Sequence, residues 1–169
     1  MAESPKNRPV LPLNRSPVDI LLEILAGAGL VWMLGTVILS WSSLPESVPV
    51  HFGAGGDPDA WGSKWTFIIL PLIGVALYSG LTVLARYPHL YNYPWPITLG
   101  NAERQYRLAR AFLALFKAEV VWFFGYMKLE AVEVAHHRSE GLGPEFLPIF
   151  LLTTFGSIGL YFFISYRTR

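Results

Sequence analysis

The stretch 20-ILLEILAGAGLVWMLGTVILSW-41 decides the fold, because its 22 positions hold a single charge, Glu23. At a rise of about 1.5 Å per residue it spans about 33 Å, and the hydrocarbon core of a bilayer is about 30 Å thick. Three further apolar runs follow it. Residues 65–85 and 146–166 are uncharged, and 111–127 are interrupted by Lys117 and Glu119. These runs span about 31, 31 and 25 Å. The short run is preceded by 101-NAERQYRLAR-110, a strongly helix-forming segment, so that helix is expected to start near Asn101 and to stand out of the membrane. Composition agrees, with 53% apolar and 15% charged residues and a mean hydropathy of +0.40. Soluble domains carry about 25% charged residues.

The expected fold class is therefore an all-α integral membrane protein with four transmembrane helices at about 20–41, 65–85, 101–128 and 146–166. They form one domain, 20–169, behind a flexible cytoplasmic tail, residues 1–19, rich in proline (Pro5, Pro9, Pro12, Pro17) and unable to bury a core. The first run is longer than the 7–15 apolar residues of a signal peptide and has no small-residue cleavage site after it, so it reads as a retained helix.

Cations set the orientation. With four spans, Lys6, Arg8, Arg15, Arg86, Arg104, Arg107, Arg110, Arg167 and Arg169 fall on one side, and Lys64, Lys128 and Arg138 on the other. The positive-inside rule then makes both termini cytoplasmic, with helix 3 extended into the cytoplasm. Aromatic residues mark the two interfaces: Trp41, Trp61, Trp65 and Tyr126 outside, and Tyr87, Tyr91, Tyr93, Trp95 and Tyr166 inside. Small residues offer close helix contacts at Ala26–Gly29, at Gly74, Ala76 and Gly80, and at Thr153 and Ser157. Pro71 is expected to kink the outer end of helix 2, whereas Pro148 falls in a first turn, where it is tolerated.

Several function classes are excluded or weakened. Cysteine is absent, so there are no disulfides and no thiolate metal sites. A net charge of +1 does not suit a nucleic-acid binder. The loop 44-LPESVPVHFGAGGDPDAWGSKW-65 concentrates a histidine, two aspartates, a lysine and four glycines. Its D-P-D-A-W-G fails as a calcium loop, because Trp61 and Ile68 occupy positions that need oxygen ligands. His51, Asp57 and Asp59 are zinc-type ligands, but nothing in the sequence holds them on one face. The alternative is a turn-rich cap in which the aspartates bond backbone amides and Lys64 pairs with one of them. In the second outer loop, Glu133 and His137 are four apart, a usable two-ligand pair, though a solvated acidic helix end is the simpler reading. No metal, cofactor or catalytic residue is assigned.

Helix 3 carries the costliest residues. Lys117, about 9 Å into its run, is expected to snorkel to the inner surface. Glu119 lies about 12 Å in, near the midplane, where an ionised carboxylate costs about 2.5–3.5 kcal/mol or more. The two cannot pair with each other from positions two apart. Glu119 therefore reads either as a functional intramembrane acid or as a hydrogen-bonded structural one near groups such as Thr36, Ser79 or Thr82. On the inner side, Thr98 or Asn101 can cap helix 3, and Glu103 can pair with Arg107.

The pattern L-P-x-x-V-P-x-H-F-x-x-x-G-x-x-D-x-x-x-x-K is carried here by Leu44, Pro45, Val48, Pro49, His51, Phe52, Gly56, Asp59 and Lys64. It resembles the signature of a bacterial membrane domain of unknown function, found in the N-terminal part of SdpI-type immunity and signalling proteins. The downstream N-Y-P-W-P-I-T and N-A-E-R-Q-Y-R-L-A-R segments add to the likeness, which covers roughly residues 26–116. The resemblance implies a multi-pass protein of the bacterial plasma membrane, in contact with lipid and a peptide or protein partner, acting in envelope signalling or peptide-toxin resistance. It implies no catalytic residue. A small ion- or proton-coupled transporter using Glu119, and a membrane metalloenzyme using His51 and Asp59, are the alternatives from other classes.

Overall fold

The computed structural model describes residues 8–169. Four α-helices and one hairpin follow in the order α1 (Pro17–Ser40), β1 (Ser47–Phe52), β2 (Pro58–Ser63), α2 (Ile69–Leu84), α3 (Ala102–Ala135) and α4 (Phe146–Arg167). The helical segments Pro17–Ser40, Lys64–Leu84 and Phe146–Arg167 are long and apolar enough to cross a membrane. α3 is not among them, because Lys117, Glu119 and Lys128 interrupt its 34 residues.

α1 begins three residues earlier than expected. Ser16 caps it: its hydroxyl accepts from the Asp19 amide (3.1 Å), and the Asp19 carboxylate accepts from the Ser16 amide (2.7 Å). With Pro17 at the first helical position, this is a reciprocal capping box. The preceding residues also correct the expectation of a loose tail. Arg8 bonds the Tyr91 carbonyl, the Tyr106 hydroxyl donates to Pro9 O (3.1 Å), and Arg110 donates to Leu13 O (3.1 Å) and Asn14 O (2.7 Å). Leu11 and Leu13 pack on the buried Ile97, Ala102 and Tyr106. Residues 8–15 are thus a strap tied to α3, while the rest of the expected tail, residues 1–7 with Lys6, lies outside the described residues.

The hairpin corrects the all-α assignment. β1 and β2 pair antiparallel, with Val48 opposite Gly62 and Pro49 opposite Trp61, and with irregularities around His51. Gly56 closes the turn at φ +93, and its carbonyl accepts from the Leu142 amide (2.8 Å). A Cβ at Gly56 would stand 2.6 Å from Gly143 O, so both the backbone conformation and the close approach require glycine there. A lone two-stranded hairpin is marginal in water. This one is held by burial of Val48 with Leu44, Phe67, Ala131, Val132 and Ala135.

α3 is the axis of the bundle, with α1, α2 and α4 each packed against it. The α1–α3 seam interlocks two tryptophans with two glycines. A Cβ on Gly29 would come within 2.8 Å of Trp122, and one on Gly125 within 2.7 Å of Trp32. Trp32 and Trp122 meet at a tilt of 36° with 5.1 Å between centroids, and the Trp122 indole donates to Leu25 O (3.0 Å). Of the expected small-residue contacts, Gly29 and Gly74 lie in packed seams, whereas Gly80 meets nothing within 4 Å. Pro71 does not kink a continuous α-helix. The chain winds as a 3-10 helix over Lys64–Ile68, and Pro71 falls in the first turn of α2, where its missing N–H costs nothing.

At the end of the bundle that carries the strap, Gln105 and Ser165 are fully buried and bond reciprocally, Ser165 Oγ to Gln105 Oε1 (2.7 Å) and Gln105 Nε2 to Ser165 O (2.9 Å). The Trp95 indole donates to the same Ser165 hydroxyl (3.1 Å). This clamp fastens the loop 86–100 and the start of α3 to the end of α4, so the strap and the C-terminus lie at one end of the bundle and the hairpin at the other.

Candidate functional site

The loop 44–65 builds the hairpin end of the bundle. His51 Nδ1 lies 2.5 Å from Asp59 Oδ1 across the hairpin, and both side chains are exposed. The expected pairing of Lys64 with an aspartate is corrected: its ammonium reaches Glu46 (3.4 Å) and lies over Trp41 at 5.5 Å. Asp59 bonds the histidine ring where a backbone amide was expected. Trp41 and Trp65 meet edge to face at 5.1 Å. Leu44, Val48, Pro49 and Gly56 are buried, so these signature residues shape the cap, while His51, Asp59 and Pro45 face outwards.

The loop after α3 does not form a ligand pair. Glu133 takes two bonds from Arg138 (2.7 and 2.8 Å), which hold its carboxyl below the usual carboxylate range. His137 adopts φ +58 and turns the chain out of α3. His136 instead staples α3 to the end of α1, with its ring nitrogens 2.8 Å from Val132 O and 3.0 Å from Ser43 O. Among the described residues no group of three or more His, Asp or Glu side chains is placed to hold a metal ion.

Inside the bundle the structure changes the roles of the charged residues on α3. Lys117 does not snorkel. It is 1% exposed, and its ammonium donates to both oxygens of Glu23 on α1 (2.8 and 2.7 Å) and to Thr82 Oγ1 on α2 (2.9 Å). An ammonium has three donors, and all three are used. The Tyr78 ring flanks it at 4.6 Å. Glu23 forms one wall of a cavity of about 240 Å³, also lined by Arg15, Asp19, Arg86 and Arg110. In that cavity Arg110 pairs with Asp19 at 2.7 Å. This polar vestibule opens between the strap and the bundle, and the buried pair lies at its base.

Glu119 faces the opposite side, towards α4. Its carboxylate lies 3.2 Å from the Ser157 hydroxyl, not beside Thr36, Ser79 or Thr82. At the helix start, Asn101 bonds Thr98 N through its side chain (2.8 Å) and makes no cap bond to the helix, and Glu103 pairs with Arg107 (2.9 Å).

One residue escaped the sequence reasoning. Lys128, counted there as an outer-side cation, is 7% exposed. Its ammonium lies 4.1 Å from the centroid of the Phe67 ring, and no acidic side chain or hydrogen-bond acceptor among the described residues pairs with it. The signal was available in the sequence: Lys128 directly follows the apolar run and lies on the helix face of Ala131 and Val121, which are buried.

A family model described as a domain of unknown function (DUF1648) matches residues 28–75, from within α1 through the hairpin into α2. An uncharacterized protein of Archaeoglobus fulgidus is 28% identical over 165 residues, covering 90% of this chain and 88% of its own length. No solved structure matches. The signature loop lies wholly inside the matched domain. The apolar helices point to a membrane location.

Proposed function

We propose that this is a non-enzymatic, multi-pass protein of the plasma membrane in which α3 is a fourth span, both termini are cytoplasmic, and the hairpin end is a reception surface for secreted or envelope peptides. The observation that carries the reading is the polarity of the bundle. The strap, the inner loop and the end of α4 are clamped together at the cation-rich end, and the hairpin caps the cation-poor end. That arrangement, with a positive inner face, is what an even number of crossings requires. α3 is long enough at about 51 Å to cross and project, and its central charges lie towards neighbouring helices, Lys117 paired and Glu119 bonded to Ser157. The exposed His51–Asp59 pair on the signature loop is a polar feature offered outwards, beside the exposed Glu46 and Asp57. The resemblance to SdpI-type proteins supports a role in envelope signalling or peptide-toxin resistance.

The test is protection. Expression in a peptide-sensitive bacterial host should raise survival under challenge by membrane-active peptides, and His51→Ala with Asp59→Ala should abolish the gain without lowering the amount of protein in the membrane. Equal survival with and without the protein, across a panel of such peptides, would overturn the reading.

A second reading, an ion- or proton-coupled carrier, is favoured by one observation. Glu23 and Lys117 are a buried ion pair at the base of a polar vestibule, the arrangement of a coupled site. This moves the carrier hypothesis from Glu119 to Glu23. Proton flux into liposomes holding the protein, lost in Glu23→Gln, would support it, and flux equal to that of empty liposomes would remove it.

A further inference from the structure

Lys128 stands in an unusual environment. Its neighbours in space come from three elements: Val50 and Phe52 of β1, Ile69 and Ile73 of α2, and Met127 on α3. Together with Lys128 they line a cavity of about 240 Å³ beneath the hairpin. Its walls are mostly apolar, with Thr66 the other polar side chain among them. The Lys128 ammonium lines this cavity and finds no bond partner among the described residues, so its charge is offset by what enters the cavity. The Phe67 face offers only part of that compensation. By contrast, Lys117 on the same helix satisfies all three donors within the protein.

The wall shared with α2 indicates what completes the site. Ile69 and Ile73 are 54% and 45% exposed on a helix apolar enough to span a membrane. Trp65, 65% exposed, marks the same level as an interfacial aromatic. The cavity therefore adjoins the lipid-facing side of α2 at its outer boundary. A ligand arriving there comes by lateral diffusion, head at the interface and chain in the bilayer.

We infer that this cavity binds an anionic lipid, its carboxylate or phosphate head on the Lys128 ammonium and its first methylenes against Val50, Ile69, Ile73 and Met127. The pairing is a charge-assisted hydrogen bond shielded from water, which is where such bonds are strongest. The inference requires α2 to cross a membrane and is independent of the peptide-resistance reading.

The test uses the full chain in liposomes with two photoreactive lipids: a fatty acid carrying a diazirine near its carboxylate, and a phosphatidylcholine carrying the same group at the same depth. Mapping the adducts by mass spectrometry, the fatty acid should label residues 66–73 and 127–131 in preference to the zwitterionic lipid. Lys128→Met should reduce that labelling about tenfold, leave the phosphatidylcholine adducts unchanged, and leave fatty-acid adducts near Arg86 and Arg110 as an internal control. Lys128→Arg should retain the preference. Equal labelling by the two lipids in the wild type, or a preference that survives Lys128→Met, would overturn the inference. Loss of labelling in excess inorganic phosphate would overturn the lipid as the source in favour of a free anion. Should Lys128→Met fail to fold, the wild-type ratio between the two lipids still decides.

Discussion

Lys117 and Lys128 stand about three turns apart on α3, both more than nine-tenths buried. One is held by a carboxylate, a hydroxyl and an aromatic face from two other helices. The other has an aromatic face and an open pocket. Desolvation penalises both alike, so the difference lies in what offsets it. For Lys117 the offset is internal, which makes it a structural element joining α1, α2 and α3, and a candidate coupling site. For Lys128 it lies outside the described chain, which makes it a ligand site. A buried charge is thus informative in proportion to the donors it leaves unused.

The largest effect is expected where the internal offset is removed. Lys117→Met leaves the Glu23 carboxylate without its partner. It should destabilise the protein by about 3 kcal/mol, the lower part of the range for breaking a buried pair, because Glu23 is partly open to the vestibule. Adding Glu23→Gln should recover most of that loss in thermal unfolding of the protein in a bilayer mimetic. A double variant no more stable than the single one would break the comparison, since the pair would then not be the reason for the loss.

Packing gives the next effect. Gly29→Leu should cost about 1–3 kcal/mol, because Trp122 and Val121 already occupy the space of its Cβ. Gly80→Leu should cost nothing measurable, since nothing lies within 4 Å of it. Equal losses at the two glycines would mean that the α1–α3 seam is not the tight one.

Lys128→Met sharpens the comparison directly. In the absence of anionic lipid its stability should equal or exceed that of wild type, because an unpaired buried cation is replaced by an apolar side chain of similar reach. A fall comparable to that of Lys117→Met would show an internal partner for Lys128.

The smallest effect is at the exposed pair, Glu133 and Arg138. The Arg138 bonds lower the folded-state pKa of Glu133. Its contribution is therefore complete above the ordinary carboxylate range and is lost as pH falls through the lowered value. Melting temperature against pH should show a slight acid-side decline that Glu133→Gln flattens. A decline that persists unchanged in the variant would assign it to another carboxylate.

The helices were legible because apolar runs of membrane length admit few other structures, and the aromatic belts and cation asymmetry fall on the two ends of the bundle. The capping box was equally legible in Ser16-Pro17-Val18-Asp19, but the start at Ile20 followed hydropathy alone. The hairpin was hidden by Pro49 inside β1, which argues against strand locally, although the glycine-rich turn after it suits a hairpin. Its stability comes from Phe67 and α3, which no local pattern reports. The Glu23–Lys117 pair was invisible for a similar reason. Each charge stood out in its run, but their meeting depends on which faces α1 and α3 turn to each other, set by Gly29 and Gly125. Lys128 was missed because it sits one residue past the apolar run and was counted by side of the membrane, not by environment.

The account rests centrally on α3 crossing the membrane, with the vestibule inside and the Lys128 pocket outside. The chain has no cysteine, so single-cysteine variants at Ala54, in the hairpin turn, and at Arg169 can be labelled in intact cells with a membrane-impermeant maleimide. Ala54→Cys should react from outside, and Arg169→Cys only after permeabilisation. Labelling of both positions in intact cells would mean three crossings and would contradict the account.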